Sequence, residues 1–544
     1  MESQIDQLTR KMEIGDLVAE MDNVSIKVLM NPLILNKIFS TLNTTYLTGL
    51  KSARLVCSVW AELGAKFLDE QGSISFSTDP DIASKELLSF NKNLAKNVAL
   101  TICRDHSSTC ICSLQEVQSY HYLPPNSMQC LPEIYSVMDT LQVTLQVLHP
   151  HLDQMWNTYD FPNLTHISII ANILVLKNEK DIVRPEEEVE IREFRPLPNL
   201  KLLRLKINPA WEQFSSNYAP IFQRQLNASP NLEELNMEAN FYPDLTPCKY
   251  LKKLTYEYEM YHDPFSIVTP DMNEFTRMLN NCRDSLENLC VRFKNKNSDV
   301  VKLRFDLPNL THLTIDVTDA YKIEDSLNIS SLPKLAHLSL DYSLFCKFSV
   351  TGGMRHSGIT SLHVRCTHHA KDARQEGQAV AAKFVNLFPT VAKLELDLMV
   401  EFDKIVEMDY VALKETVETF GGWDLSSGEV KVAHHCYIYA GMRSNGGFDS
   451  DGVIAILEGI SGWRGLAKTS LKFVGGYTAA EFDFSDKMRH AMLSCRNIRK
   501  MILDQFQMEE ETLDELDEFI EEHELSISFP HLLIVHPFFG SRLH

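Results

Sequence analysis

LPNLTHLTI, residues 307–315, decides how this chain is read. Leu310, Leu313 and Ile315 are apolar, and His312, Thr314 and Asp316 stand between or just after them. The step of two from Leu313 to Ile315 is strand period, so one face points into a core and the other faces water. The phrase recurs as FPNLTHISI at 161, LPNLKLLRL at 197, SPNLEELNM at 229, SLENLCVRF at 285, LPKLAHLSL at 332 and FPTVAKLEL at 388. Weaker copies are SGITSLHV at 357, RGLAKTSLKF at 464, RNIRKMIL at 496 and PHLLIV at 530.

The shared core is L-x-x-L-x-L. Its first apolar residues are Leu164, Leu200, Leu232, Leu251, Leu286, Leu310, Leu335, Ile359, Val391, Leu466, Ile498 and Leu532. A period of this size, with this motif, resembles the leucine-rich repeats. The resemblance implies an α/β solenoid, a curved parallel sheet with its strands on the concave side and helices on the convex side. Each unit cannot bury its apolar face alone and must stack on its neighbours. Longer gaps are filled by helical stretches at 270–282, 373–388 and 485–495. A degenerate copy around Val430 and Val432 divides the long gap between Val391 and Leu466. The end of the chain, EEETLDELDEFIEEHE, places Leu513, Leu516 and Ile520 on one stripe, an amphipathic helix packing over the last repeats.

The 544 residues carry a net charge of −21, which disfavours general nucleic-acid binding. The longest apolar stretch, ISIIANILVL at 167–176, is about half a membrane span. A cytoplasmic or nuclear protein without membrane contact is expected. Twelve cysteines over such a length do not form a disulfide framework. The sequons at Asn163, Asn309 and Asn328 adjoin apolar runs and read as buried structure.

Ahead of the repeats, VLMNPLILNKIFSTLNTTYLTGLKSARLVCSVWAELGAKFL (28–68) places Leu35, Ile38, Phe39 and Leu42 on one helical face. A module of about 40 residues is below the size that ordinarily folds unaided, which suggests a partner surface. MNPLILNKIFSTL followed by RLVCSVW at 54–60 resembles an F-box. Asn31 stands where that family often has proline, and Leu33 where it often has glutamate. The resemblance implies a substrate receptor of a Skp–cullin–F-box ubiquitin ligase, with the Skp adaptor bound at Pro32, Ile34, Leu35, Ile38, Phe39, Leu55, Val56, Cys57 and Trp60. Cullin and RING subunits would follow through the adaptor. The implied layout is an N-terminal tail (1–25), the F-box (26–68), a connector with degenerate first repeats (69–150) and the repeat domain (151–544). A repeat scaffold without a ligase role is the alternative.

Substrate would meet the polar strand positions: His312 and Asp316, His337 and Asp341, His363 and Arg365, Glu395 and Asp397, with Glu238 and Glu257 before them. Just after the last apolar strand position stand Glu238, Glu257, Arg292, Asp316, Asp341, Arg365 and Asp397. Five of those seven are acidic, which points to a partner segment of basic character.

No catalytic residues, cofactor or metal are expected. Cys103, His106, Cys110 and Cys112 lack the paired spacing of a zinc site. GFDSDGVIAILE (447–458) matches a calcium loop at Asp449, Asp451, Gly452, Ile454 and Glu458, but Gly447 stands where a carboxylate is needed. Ser450 or Asp451 is expected instead to cap a helix through Ile454, Leu457 and Ile460. Cys57 sits among apolar neighbours that quiet a thiol.

Overall fold

A computed structural model of the chain describes residues 31, 33–35, 37–38, 73–74, 97–102, 135–145, 156–157, 159–171, 193–207, 212–259, 270–294, 301–317, 321–322, 327–342, 355–369, 373–402, 409–436, 450–474, 480–481 and 483–535. The chain divides into two compact units, Met1–Leu200 and Lys201–His544.

The first unit contains parallel strands in chain order: β1 (Ser73–Ile74), β2 (Asn97–Ile102), β3 (Thr140–Leu145) and β4 (His166–Ala171). Val98 lies beside Leu141, and Leu141 beside Ile167. Leu141, Val143, Ile167, Ile169 and Ala171 are buried at alternate positions, as strand period requires. Tyr135, Trp156, Phe161 and Phe194 are buried too, with Phe161 5.0 Å from both Tyr135 and Trp156 between ring centroids.

The second unit runs through β5 (Leu202–Ile207), β6 (Glu234–Glu238), β7 (Lys253–Glu259), β8 (Asn288–Lys294), β9 (Val301–Lys302), β10 (His312–Val317), β11 (Tyr321–Lys322), β12 (His337–Tyr342), β13 (Ser361–His369), β14 (Lys393–Phe402), β15 (Ser427–Cys436), β16 (Lys468–Val474), β17 (Ala480–Glu481), β18 (Met501–Asp504), β19 (Phe506–Glu509), β20 (Ile527–Ser528) and β21 (Leu532–Val535). The main sheet has the order β5-β6-β7-β8-β10-β12-β13-β14-β15-β16-β18-β20, parallel throughout. β9 pairs with β11, and β17, β19 and β21 form a small sheet of their own.

Parallel neighbours need crossover connections. Among the described residues helices fill seven of them: α1 (Glu212–Asn227), α2 (Met272–Asn280), α3 (Ala373–Leu387), α4 (Tyr410–Thr419), α5 (Ser450–Ser461), α6 (Asp486–Ser494) and α7 (Glu510–Glu522). The stretches expected to be helical at 270–282, 373–388 and 485–495 form α2, α3 and α6. Helix α1 escaped the sequence reading because Pro220 and a Ser/Asn-rich first half hide its periodicity. Asp271 caps α2, accepting from the Asn273 and Glu274 N–H groups. On α7, Leu516 and Phe519 are buried, while Leu513 and Ile520 are partly covered.

The repeat motif has a physical explanation at each position. Its first apolar residue, from Leu164 to Ile498, is buried. The asparagine of P-N-L reaches back to the turn before it: Asn309 Nδ2 donates to the Asp284 carbonyl at 2.7 Å, and Asn163 Nδ2 to that of Ser136 at 2.7 Å. At strand entry one carbonyl accepts two successive N–H groups of the next strand. Glu287 O takes Thr311 N at 2.8 Å and His312 N at 3.1 Å, and the Thr311 hydroxyl adds a third bond at 3.0 Å. The sequons at 163 and 309 therefore use both their asparagine and their threonine in bonds between turns.

The gap after Val391 is filled by β15, where the degenerate copy around Val430 and Val432 is expected; both valines are buried, as is the entry residue Leu425. One place differs from the expected repeat spacing. Leu532, expected to open the last copy, lies instead in β21 of the small sheet. The final strand of the main sheet is β20, entered through buried Leu525. PHLLIV is the more apolar string, but burial depends on the neighbouring strand, and β18 pairs with β20.

Between α4 and α5 the packing is close. A Cβ on Gly459 would stand 2.8 Å from Val417 Cβ. Trp463 Nε1 donates to the Val417 carbonyl at 2.7 Å, and Trp423 Nε1 to that of Phe388 at 2.8 Å. Gly465 turns the chain with φ of +73°, a conformation open to glycine. Among the described residues no helix is long and apolar enough to cross a membrane.

Candidate functional site

On one face of the main sheet, the strand alternation and the unslipped register align one charged residue per strand. The row is Lys206, Glu238, Glu257, Arg292, Asp316, Asp341, Arg365, Asp397, Lys431, Lys472 and Asp504. Neighbouring members pair. Lys206 Nζ lies 2.8 Å from Glu238, Arg292 lies 3.4 Å from both Glu257 and Asp316, and Lys472 lies 3.3 Å from Asp504. Arg365 Nε is 3.7 Å from Asp397. Of Asp341 only the backbone place in β12 is described.

The seven positions expected from sequence, Glu238, Glu257, Arg292, Asp316, Asp341, Arg365 and Asp397, lie side by side in one row, five of them acidic. The row also includes Lys206, Lys431 and Lys472, which bond to its acids or to a neighbouring one. Lys431 lies between Val430 and Val432, in the degenerate copy expected there. Over its eleven positions the row carries five basic and six acidic residues, with like charges side by side at Glu238–Glu257, Asp316–Asp341 and Lys431–Lys472.

Parallel to this row, one step toward the strand entries, lie Thr314, Ser339, His363, Glu395 and Glu429. His363 is the centre of a polar cluster. Its Nδ1 is 2.9 Å from Ser339 Oγ, and its Nε2 is 3.0 Å from Asp397 Oδ2 and 4.0 Å from Glu395 Oε1. Lys431 Nζ bonds Glu395 and stands 3.4 Å from Glu429. Burial pulls the Asp397 carboxyl upward, but the His363 hydrogen bond, with Lys431 and Arg365 nearby, outweighs it and holds the group below its usual range. Its second oxygen, Oδ1, is buried without a hydrogen-bond partner.

His312 and His337 stack across β10 and β12, 4.1 Å between centroids and 5° from parallel. Burial, then the neighbouring His337, holds the His312 imidazole below its usual value. At the far end of the row, burial pulls Asp504 up, but hydrogen bonds from His531 (2.6 Å) and Lys472 outweigh it and hold it low.

A chain of Ser339, His363 and Asp397 has the connectivity of a proton relay. β12 is paired on both sides, so its N–H groups are taken up by the ladder and offer no oxyanion site beside Ser339.

At the N-terminus the described residues 33–35 and 37–38 are helical. Asn31 caps this turn: its Oδ1 accepts from Leu33 N at 2.9 Å, and its carbonyl from Leu35 N at 3.0 Å. Asparagine is a strong N-cap, which explains its place there. Leu33 is 78% exposed and Ile34 37%, whereas Leu35 is fully buried and Ile38 partly so. Leu35, expected at the adaptor contact, thus belongs to the packing beneath the turn. Leu33, absent from the expected contact set, is its most exposed apolar residue; only the polarity of its neighbours Asn31 and Asn36 hinted at this. Pro32, Phe39, Leu55, Val56, Cys57 and Trp60 lie outside the described residues, as do Cys103, His106, Cys110 and Cys112.

In the calcium-like stretch, Asp451 pairs with Lys487 at 3.3 Å and Glu458 with Lys414 at 2.7 Å, and Ile454, Leu457 and Ile460 are buried along α5. Ser450 Oγ accepts from Asp483 N at 2.8 Å. Burial pushes the thiols of Cys248, Cys282 and Cys495 up to about 12 each, so all three stay protonated at neutral pH.

No family model matches the chain, and no curated protein matches it.

Proposed function

We propose that this chain is the substrate-recognition subunit of a Skp–cullin–F-box ubiquitin ligase. Residues 26–68 act as the F-box that docks the Skp adaptor, and the parallel repeats act as a leucine-rich-repeat solenoid that holds the protein substrate. The observation that carries the recognition half is the in-register charged row, Lys206 to Asp504. Strand-borne side chains in one register are held more rigidly than loop-borne ones, as a recognition surface requires. Because the row holds both signs, the substrate segment that fits it carries both signs rather than basic residues alone. For the docking half, the support is the Asn31-capped turn, which offers Leu33 and Ile34 to a partner above the buried Leu35. On this reading the chain performs no chemistry; it raises the local concentration of a substrate lysine at the ligase.

Co-expression with a Skp adaptor, followed by size-exclusion chromatography, tests the reading. The wild-type chain is expected to co-elute with the adaptor, and the double variant Leu33→Asp/Ile34→Asp to elute alone. Failure of the wild-type chain to form the complex overturns the ligase reading and leaves a repeat scaffold.

A further inference from the structure

We propose that His363, Glu395 and Asp397 form a zinc-binding site on the polar face of the sheet, between β13 and β14. Among the described residues this is the one group of three such side chains whose ligand atoms converge, all within 4.8 Å of one another. Zinc holds nitrogen and oxygen ligands at about 2.0–2.2 Å, which sets tetrahedral ligands about 3.3 Å apart. The His363 Nε2 to Asp397 Oδ2 separation of 3.0 Å already fits, and the 4.0 Å to Glu395 Oε1 closes with a small side-chain rotation. One histidine and two carboxylates suit zinc and leave a coordination position open to solvent or to a partner's side chain.

Two further observations point the same way. Asp397 Oδ1 is buried with no hydrogen-bond partner, a carboxylate oxygen whose lone pairs are not satisfied within the protein. His363 Nδ1 is held by Ser339 Oγ at 2.9 Å. That is the outer contact that orients a ligating imidazole: without metal the Nε2 proton serves the hydrogen bond to Asp397, and when zinc replaces that proton, Nδ1–H donates to Ser339 and the Nε2 lone pair goes to the ion.

Lys431 and Arg365 oppose the ion: Arg365 Nε stands 3.7 Å from Asp397 Oδ2, and Lys431 bonds Glu395, so both charges repel a cation there. Lys431 has another place to go. Glu429, 3.4 Å away, offers it a second acceptor, so zinc and the ammonium compete for Glu395 and Lys431 moves to Glu429 when the metal enters. The site is thus of moderate affinity, and the competition gives it a signature that stray surface histidines lack.

The test is calorimetric titration of metal-stripped full-length protein with zinc chloride at neutral pH. Wild type is expected to take up one equivalent. His363→Ala and Glu395→Gln lose it; the second is isosteric and keeps the fold. Ser339→Ala weakens binding about tenfold, and Lys431→Met tightens it. Absence of a zinc equivalent in wild type overturns the proposal, as does an equivalent that survives unchanged in both His363→Ala and Glu395→Gln.

Discussion

Asn309 Nδ2 donates to the Asp284 carbonyl at 2.7 Å, joining the head of one repeat to the turn of the repeat before it. Such a bond contributes about 1 kcal/mol net. Asn309→Ala is therefore expected to lower stability by about that amount, read as a lower urea midpoint at unchanged slope. Asn309→Asp should lose the bond too, because a carboxylate cannot donate to a carbonyl.

Gly459 on α5 faces Val417 on α4, where a Cβ would stand 2.8 Å from the valine Cβ. Glycine to alanine inside a helix ordinarily stabilises by roughly 0.5–1 kcal/mol. Here the clash outweighs propensity, since overpacking costs about 1–3 kcal/mol. Gly459→Ala is expected to lower the melting temperature, and Gly459→Ala/Val417→Ala to recover part of the loss.

His356 is fully buried and neutral: its Nε2 faces the Leu332 carbonyl at 3.1 Å, and Gly358 N–H donates to its Nδ1 at 3.3 Å. Burial holds its pKa below 6.5. The unfolded chain then takes up the proton more readily than the folded one, so stability falls as pH drops from about 6.5 toward the folded-state value, by at most about 1.4 kcal/mol per unit. Urea midpoints at pH 7.5 and 5.5 check this, and His356→Gln should flatten the difference. The lowered carboxyls of Asp397 and Asp504 act in a separate window: their contribution is lost only as pH falls below about 4 and through their folded-state values.

Arg292 stands between Glu257 and Asp316, 3.4 Å from each, on a partly exposed face. Exposed pairs contribute about 0.2–1 kcal/mol each. Arg292→Glu places five acids in succession along the row, from Glu238 to Asp341, and is expected to destabilise by about 1–2 kcal/mol at low salt. The effect should shrink in 1 M sodium chloride, as screening predicts.

Leu33 and Leu35 separate surface from core on one helical turn. Leu35→Ala removes a buried side chain, with an expected cost of about 2–5 kcal/mol. Leu33→Ala, at an exposed site, should change stability by less than about 0.5 kcal/mol. Thermal denaturation of the two variants distinguishes them.

The strands were legible because L-x-x-L-x-L is a local pattern: the apolar spacing that writes a strand also names the residues it buries, from Leu164 to Ile498. Helices α2, α3 and α6 were legible for the same reason. Helix α1 was not, because Pro220 obscures its period, and the last strand was misplaced at Leu532 because apolar content does not say which strand lies alongside.

By itself the sequence determined a repeating parallel α/β chain and which residues share its polar face, since alternation along a strand is set by backbone geometry alone. Only the tertiary structure decided what that face is. The pairing of Lys206 with Glu238, of Arg292 with Asp316, and of His363 with Asp397 depends on register between strands 24–34 residues apart. Coulomb attraction is strongest over a few ångströms, so neighbours in space, not in sequence, decided that Lys206, Lys431 and Lys472 join the expected row and bond its acids or a neighbouring one.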